Sequence, residues 1–201
     1  MKVVVIGGTG LIGSKVVSKL NEHGHEAVAA SPNTGVNTVT GEGLADVLKG
    51  ASVVVDVSNS PSFDDDAVME FFRASTTNLL AAEAAAGVTH HVALSVVGTA
   101  RLQQAGYFQA KQVQEDMIRD SGMPYSIVHA TQFFEFAKTL ADGQTVDGAV
   151  RVPPAYFQPM AAADVAEGLA IAAVNAPVKG ITEIGGPQAF LLSDLIRTAL
   201  T

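Results

Sequence analysis

Residues 3–17 most constrain this chain: the apolar run Val3-Val4-Val5-Ile6 stops at Gly7-Gly8-Thr9-Gly10, and a helical pattern begins at Leu11 and runs on through Gly13. Four β-branched residues in a row predict a strand buried on both faces, followed by a tight turn and an amphipathic helix over residues 11–23. Each glycine has its own use. Gly7 takes the turn, Gly10 lets a ligand approach the backbone, and Gly13 lets the helix close on the strand. Free N–H groups and the positive dipole end at such a helix start attract anions. The segment therefore reads as a pyrophosphate cradle, in which Thr9, Leu11 and Ile12 join the three glycines.

The rest of the chain repeats the same alternation. Short β-branched runs at residues 3–6, 27–30, 53–57, 91–94, 125–128 and 181–184 alternate with helical patterns at 11–23, 43–49, 66–86, 107–121, 133–141, 163–176 and 192–200. A further short strand is expected at 36–39. This is the pattern of βαβ units and predicts an α/β, doubly wound parallel sheet, with the ligand at the carboxyl ends of the strands. Residues 1–201 read as a single domain, in which about 130–201, with prolines 153, 154, 159, 177 and 187, contribute a small substrate lobe.

Composition narrows the partners. A net charge of −8 offers no basic face to nucleic acid or to an anionic membrane. The absence of cysteine excludes disulfides and thiolate metal sites. His90 and His91 are adjacent, so a strand points them to opposite faces, which does not suit a shared metal. The run Asp64-Asp65-Asp66 reads as helix-start capping. A strand that begins at the second residue leaves no room for a signal peptide, and no apolar run is long enough to span a bilayer. The expectation is a soluble cytoplasmic protein, monomer or homodimer, acting on a small molecule.

Two motifs are similar to those of a known superfamily. The spacing Gly-x-x-Gly-x-x-Gly over residues 7–13, and Tyr107-Phe108-Gln109-Ala110-Lys111 with Ser95 twelve positions before the tyrosine, resemble the short-chain dehydrogenases/reductases, most closely their atypical, NmrA-like branch. The resemblance implies a Rossmann fold, a nicotinamide dinucleotide, and catalysis by Ser95, Tyr107 and Lys111. Tyr107 and Lys111 lie four apart on a helix and so share a face. A phenol with a pKa near ~10 is a poor acid or base at neutral pH, and the Lys111 ammonium is expected to lower it. Ser95 is expected to hydrogen-bond a substrate carbonyl oxygen. Relatives of this type run on past the final helix.

The cofactor and its neighbours follow from strand ends. An NAD site usually has Asp or Glu after the second strand to bind the ribose hydroxyls, whereas this chain has Ser31, with Asn33 and Thr34 as further donors. NADP is thereby favoured over NAD, with Lys15 as a candidate cation. Ser58, Asn59 and Ser60, after the strand at 53–57, are expected on the ribose or nicotinamide side. Thr131, Gln132 and Phe133 stand where relatives carry an Arg-Pro-Gly-like turn and are expected to line the nicotinamide and substrate. Of Phe133, Phe134 and Phe136, at least one should face a pocket, with Tyr156 and Phe157 opposite. Asp164 falls in a segment whose acidic residue caps a helix in relatives. One departure stands out: the asparagine often found on the helix before the Tyr-x-x-x-Lys helix is replaced by Phe71-Phe72-Arg73. The leading reading is an NADP-dependent oxidoreductase reducing a small hydrophobic carbonyl or quinone. The alternatives are a non-catalytic NADP-binding redox sensor and a nucleotide-sugar epimerase or dehydratase-like enzyme.

Overall fold

Val3, Val4, Val5 and Ile6 are all buried, which requires cover on both sides of their strand. The computed structural model describes residues 1–200 and shows that cover. From β1 (Lys2–Ile6), Val3 and Val5 enter a core with Ile12, Val16 and Leu20 of α1 (Leu11–Glu22) and Val165 and Leu169 of α6 (Ala162–Val174). Val4 and Ile6 enter a second core with Leu44 of α2 (Leu44–Val47), Leu48 just after it, and Leu79 of α3 (Asp65–Ala86). Alternation along one strand thus separates two hydrophobic layers.

The remaining strands of the main sheet are β2 (Glu26–Ala30), β3 (Val53–Asp56), β4 (His90–Val96), β5 (Tyr125–Ala130) and β9 (Ile181–Ile184). They form a six-stranded sheet in the order β2-β1-β3-β4-β5-β9, and every pairing is parallel. Helix α4 (Gly106–Asp120) packs beside α3, and α1 packs beside α6, where Lys19 and Glu167 form an ion pair at 2.6 Å. The chain reverses its direction of travel across the sheet at β1, with β2 on one side and β3 on the other. The strand ends diverge there and open a crevice.

The strand expected at residues 36–39 is absent from the sheet. Asn37 instead bridges Glu42, its side-chain carbonyl accepts from the Val39 N–H at 2.9 Å, and Asn78 of α3 donates to the carbonyls of Thr38 and Val39. Side chains satisfy this backbone locally, so it has no need of a sheet neighbour. Only part of 130–201 forms the lobe, because α6 and β9 return to the main layers. The lobe is α5 (Ala137–Gly143), the hairpin of β6 (Thr145–Val146) and β7 (Ala149–Val150), strand β8 (Tyr156–Phe157) paired with β10 (Phe190–Leu191), and α7 (Leu192–Ala199). Ala137, Ala141, Leu192, Leu195 and Ile196 form its small core, with Phe157 and Phe190 against it.

The two histidines do point apart. His91 faces α3 and meets Glu83 at 2.8 Å, whereas His90 faces the other way and meets the Ser126 hydroxyl at 2.9 Å. No cluster of metal-binding side chains occurs among the described residues, and no helix among them is long and apolar enough to cross a membrane. Asp64 caps α3 as expected, accepting from the Ala67 N–H.

The histidines titrate in opposite senses. Burial, aided by the neighbouring His91, pushes His90 down to about 4. Burial alone would lower His91 too, but the Glu83 carboxylate outweighs it and raises that imidazole. Below about pH 6.5 the unfolded chain takes up a proton that folded His90 refuses, so this group removes stability as pH falls toward 4. Relative to His90→Gln, the parent should lose on the order of 2 kcal/mol between neutral pH and the acid end of that window, read by urea unfolding; an unchanged difference would contradict it.

Candidate active site

The crevice at the strand ends is a cleft of about 950 Å³. Its floor is the glycine turn. Gly7 has φ +76°, and a Cβ on Gly13 would lie 2.2 Å from the Gly7 carbonyl oxygen and 2.7 Å from the Gly8 Cα. Helix α1 therefore sits directly on the turn, closer than any other residue at 13 would allow. Its N-cap is Gly10, which brings no side-chain cap, so the first-turn N–H groups are left for a ligand. Gly7, Thr9, Gly10, Leu11, Ile12 and Gly13 all line the cleft. A cradle of uncapped N–H groups that a side chain would fill fits a dinucleotide pyrophosphate.

Of the candidates after β2, one reaches the rim. Ser31 lines the cleft and accepts a hydrogen bond from the Thr9 hydroxyl at 3.0 Å, which leaves its own proton free to donate. Asn33, Thr34 and Lys15 do not line it. The Thr34 hydroxyl is used locally, accepting from the Ser31 N–H at 2.9 Å and donating to the Ser31 carbonyl at 3.0 Å. Asn37, Thr38 and Val39 take their place in the wall. No local pattern signals this, because Thr38 and Val39 are held by the distant Asn78 and Asn37 by Glu42.

After β3, Ser58 and Asn59 line the cleft, but Ser60 is turned inward and accepts from the Ser62 N–H. After β5, Thr131, Gln132 and Phe133 line it. The Ser58 and Thr131 hydroxyls are buried without a partner among the described residues. Phe133 and Phe136 stack at 5.4 Å and form an apolar wall with Leu140, Phe157 and Leu195. Phe134 packs on Phe190 instead, and Tyr156 lies outside, 75% exposed. Helix α6 starts on Glu135, whose carboxylate accepts from the Ala162 N–H at 3.0 Å; Asp164 stands in its first turn without capping it.

The chemistry-bearing residues meet at α4. Tyr107 and Lys111 both line the cleft, but they do not touch as expected. The Tyr107 hydroxyl donates to the Asn59 side-chain carbonyl at 3.2 Å. Lys111, only 3% exposed, donates to the Leu94 carbonyl at 2.8 Å and to the Gln114 side chain, and sits 4.6 Å over the Phe72 ring. Burial lowers its amine to about 8 despite the carboxylates of Asp56 and Glu115. Burial likewise pushes the Tyr107 phenol up to about 12. The expected depression of the phenol is therefore reversed: the ammonium is engaged below it, and desolvation of the phenolate decides the sign.

Ser95 is brought to the same place but faces α4, donating to Glu115 at 2.6 Å. Burial would raise Glu115, but hydrogen bonds from His129 and Ser95, with Arg119 nearby, outweigh it and hold the carboxyl low. Two further buried residues, Gln114 and Asp56, went unread in the sequence. Gln114 donates to Asp56 at 3.0 Å, Asp56 accepts from the Ser58 N–H at 2.9 Å, and Lys111 donates to Gln114. Their spacing carries no motif.

A parallel sheet with a glycine cradle at its switch point and a Tyr-x-x-x-Lys helix beside it defines a nicotinamide-dinucleotide-binding Rossmann protein. The family profile described as NAD(P)H-binding matches residues 7–176. The chain belongs to that family, which is consistent with the atypical short-chain dehydrogenase/reductase group that its motifs resemble. Among curated proteins, a (4-alkanoyl-5-oxo-2,5-dihydrofuran-3-yl)methyl phosphate reductase of Streptomyces griseus is 30% identical over 74% of this chain and 54% of its own. The photosystem II assembly factor Ycf39 of Cyanophora paradoxa is 25% identical over 73% and 51%. The chain thus spans about half the length of the curated relatives it matches.

Solved structures agree on the fold. A dTDP-glucose 4,6-dehydratase, DesIV, of Streptomyces venezuelae superposes with TM-score 0.80 at 19% identity, covering 100% of this chain and 80% of that one. MoeE5 in complex with UDP-glucose and NAD superposes with TM-score 0.78 at 20% identity, covering 100% and 82%.

The cradle yields a direct prediction. Gly13→Ala should weaken NADH and NADPH binding alike, at least about tenfold, and lower stability by roughly 1–3 kcal/mol, because α1 must move off the turn. Fluorescence titration and urea unfolding check both, and unchanged values in each would contradict the geometry.

Proposed function

We propose that this chain is an NADP-dependent reductase of small, neutral, hydrophobic carbonyl compounds or quinones, with Tyr107 as the proton donor. The observation that carries the reading is the Tyr107 hydroxyl on the wall of the cleft whose floor is the glycine cradle. Gly7, Gly10, Gly13 and the start of α1 would hold the pyrophosphate, with Ser58, Asn59 and Thr131–Phe133 toward the nicotinamide end. When bound, the nicotinamide supplies the hydride that reduces the substrate carbon.

The remaining chemistry belongs to the protein. With its pKa pushed up to about 12, Tyr107 keeps its proton throughout the neutral range, which is the form a reduction needs; so weak an acid gives it up only as negative charge develops on the substrate oxygen. It delivers that proton to the substrate oxygen. Donation from Ser95 to the same oxygen requires its hydroxyl to turn away from Glu115. Phe133, Phe136, Leu140 and Phe157 exclude water and favour an apolar substrate body.

Charge supports the substrate class. Lys111 is the one charged side chain among the described residues lining the cleft, and it is engaged below the surface. A diphosphate-linked sugar would find no cation to meet it there, which disfavours the epimerase reading. Ser31 supports NADP, since it places no carboxylate where a 2′-phosphate would sit and has a free O–H to offer it. A second reading, a nucleotide-holding regulator, draws on the distance between Lys111 and the phenol, which leaves the phenolate without a cation.

One set of measurements decides. NADPH should bind more tightly than NADH by fluorescence titration, and NADPH should be consumed with at least one member of a panel of quinones, aldehydes and ketones. Tyr107→Phe should then lower kcat by about 10²–10⁴ with cofactor affinity unchanged. Equal turnover by Tyr107→Phe would contradict the acid assignment, tighter NADH binding would contradict the Ser31 reading, and cofactor binding without turnover across the panel would favour the regulator.

A further inference from the structure

Helix α3 carries Phe71-Phe72-Arg73 in place of the expected asparagine, and the hydrogen bonds of Lys111 go to the Leu94 carbonyl and Gln114, not to the phenol. An amide nevertheless reaches Tyr107 from another direction. The loop after β3 brings Asn59 to the mouth of the cleft, where its carbonyl accepts the Tyr107 proton at 3.2 Å. In the same loop Phe63 lies 6.1 Å from the Tyr107 ring although it is 74% exposed. We propose that Asn59 is the positioning residue of the acid Tyr107, holding the proton on its hydroxyl until a substrate oxygen displaces the amide.

The position of Asn59 is fixed from below. Ser58, its neighbour, donates its N–H to Asp56, Asp56 accepts from Gln114, and Gln114 accepts from Lys111. All three of these side chains are buried, so the chain is held in one arrangement by the cost of leaving any member unpaired. Lys111 thus acts on the phenol indirectly, by anchoring the loop that carries Asn59. Of the carboxylates near Tyr107, Asp56 faces Gln114 and Ser58, and that of Asp65 of α3 lies against Gly106 at the start of α4. Around the ring the neighbours are apolar, namely Phe63, Phe72 and Phe108. A hydrogen bond to the neutral form of an acid keeps it neutral, which is the direction in which Asn59 acts.

This role rests on Tyr107 being the acid, but its test needs neither cofactor nor substrate. The chain has three tyrosines and no tryptophan, so Tyr125→Phe/Tyr156→Phe leaves Tyr107 as the only phenol seen at 295 nm. In that background, with circular dichroism confirming the fold at each pH, Asn59→Ala should ionise at least about half a unit earlier than the parent. Asn59→Asp, which puts a carboxylate beside the phenol, should ionise no earlier than the parent. Superimposed curves for the parent and Asn59→Ala would overturn the proposal. So would an Asp variant that ionises as early as the Ala variant, since that is the mark of simple loop collapse. If the titrations behave as stated while Tyr107→Phe turns over normally, the reductase reading fails and the contact stands. If Tyr107→Phe is inactive and the titrations do not move, the contact has no such role.

Discussion

Burying one lysine organises the site. An ammonium taken out of water costs several kcal/mol unless its donors are met, and Lys111 is met by the Leu94 carbonyl, the Gln114 side chain and the face of Phe72. Gln114 then reaches Asp56, and Asp56 fixes the backbone after β3. The ends of β3 and β4, helix α4 and the loop bearing Asn59 are thereby tied into one polar layer on the α3/α4 side of the sheet. The opposite side is mainly apolar, with Val16, Leu20, Val165 and Leu169 against the strands, and its buried His90–Ser126 hydrogen bond takes no part in this network. The geometry around Tyr107 is built on the face that carries hydrogen bonds, where direction is specified more tightly than by packing alone.

The cleft combines two unlike halves. Toward β1 and β2 it is backbone: glycines, uncapped N–H groups and one free hydroxyl, a surface suited to phosphate and ribose. Toward the lobe it is aromatic and aliphatic, with Phe133 and Phe136 stacked and Phe157 and Leu195 opposite. Tyr107 stands where the halves meet. That boundary is where a neutral carbonyl carried on an apolar body would place its oxygen.

Much of this could be read from the chain. The run from Val3 to Gly13 carried the strand, the turn and the helix, because local β-branching, glycine and helical spacing all agree there. The Tyr-x-x-x-Lys spacing placed both residues on the cleft. Distance in the sequence limited the rest. Residues 36–39 have strand-like composition, but Asn78, some forty positions away, supplies the hydrogen bonds that keep them out of the sheet. Thr34 looks like a free donor until its hydroxyl is seen on Ser31. The expected effect of Lys111 on Tyr107 failed for a related reason: helix spacing fixes which face a side chain leaves from, not which partner its far end finds. Gln114 and Asp56, fifty-eight positions apart, decide that.

The central claim is that a protonated phenol and the reactive end of a bound dinucleotide share this cleft. A crystal structure of the complex with NADP⁺ tests it most directly. The pyrophosphate should lie on the start of α1, and nicotinamide C4 within about 5 Å of the Tyr107 hydroxyl oxygen. A nicotinamide more than about 8 Å away, or a dinucleotide bound elsewhere, would contradict it.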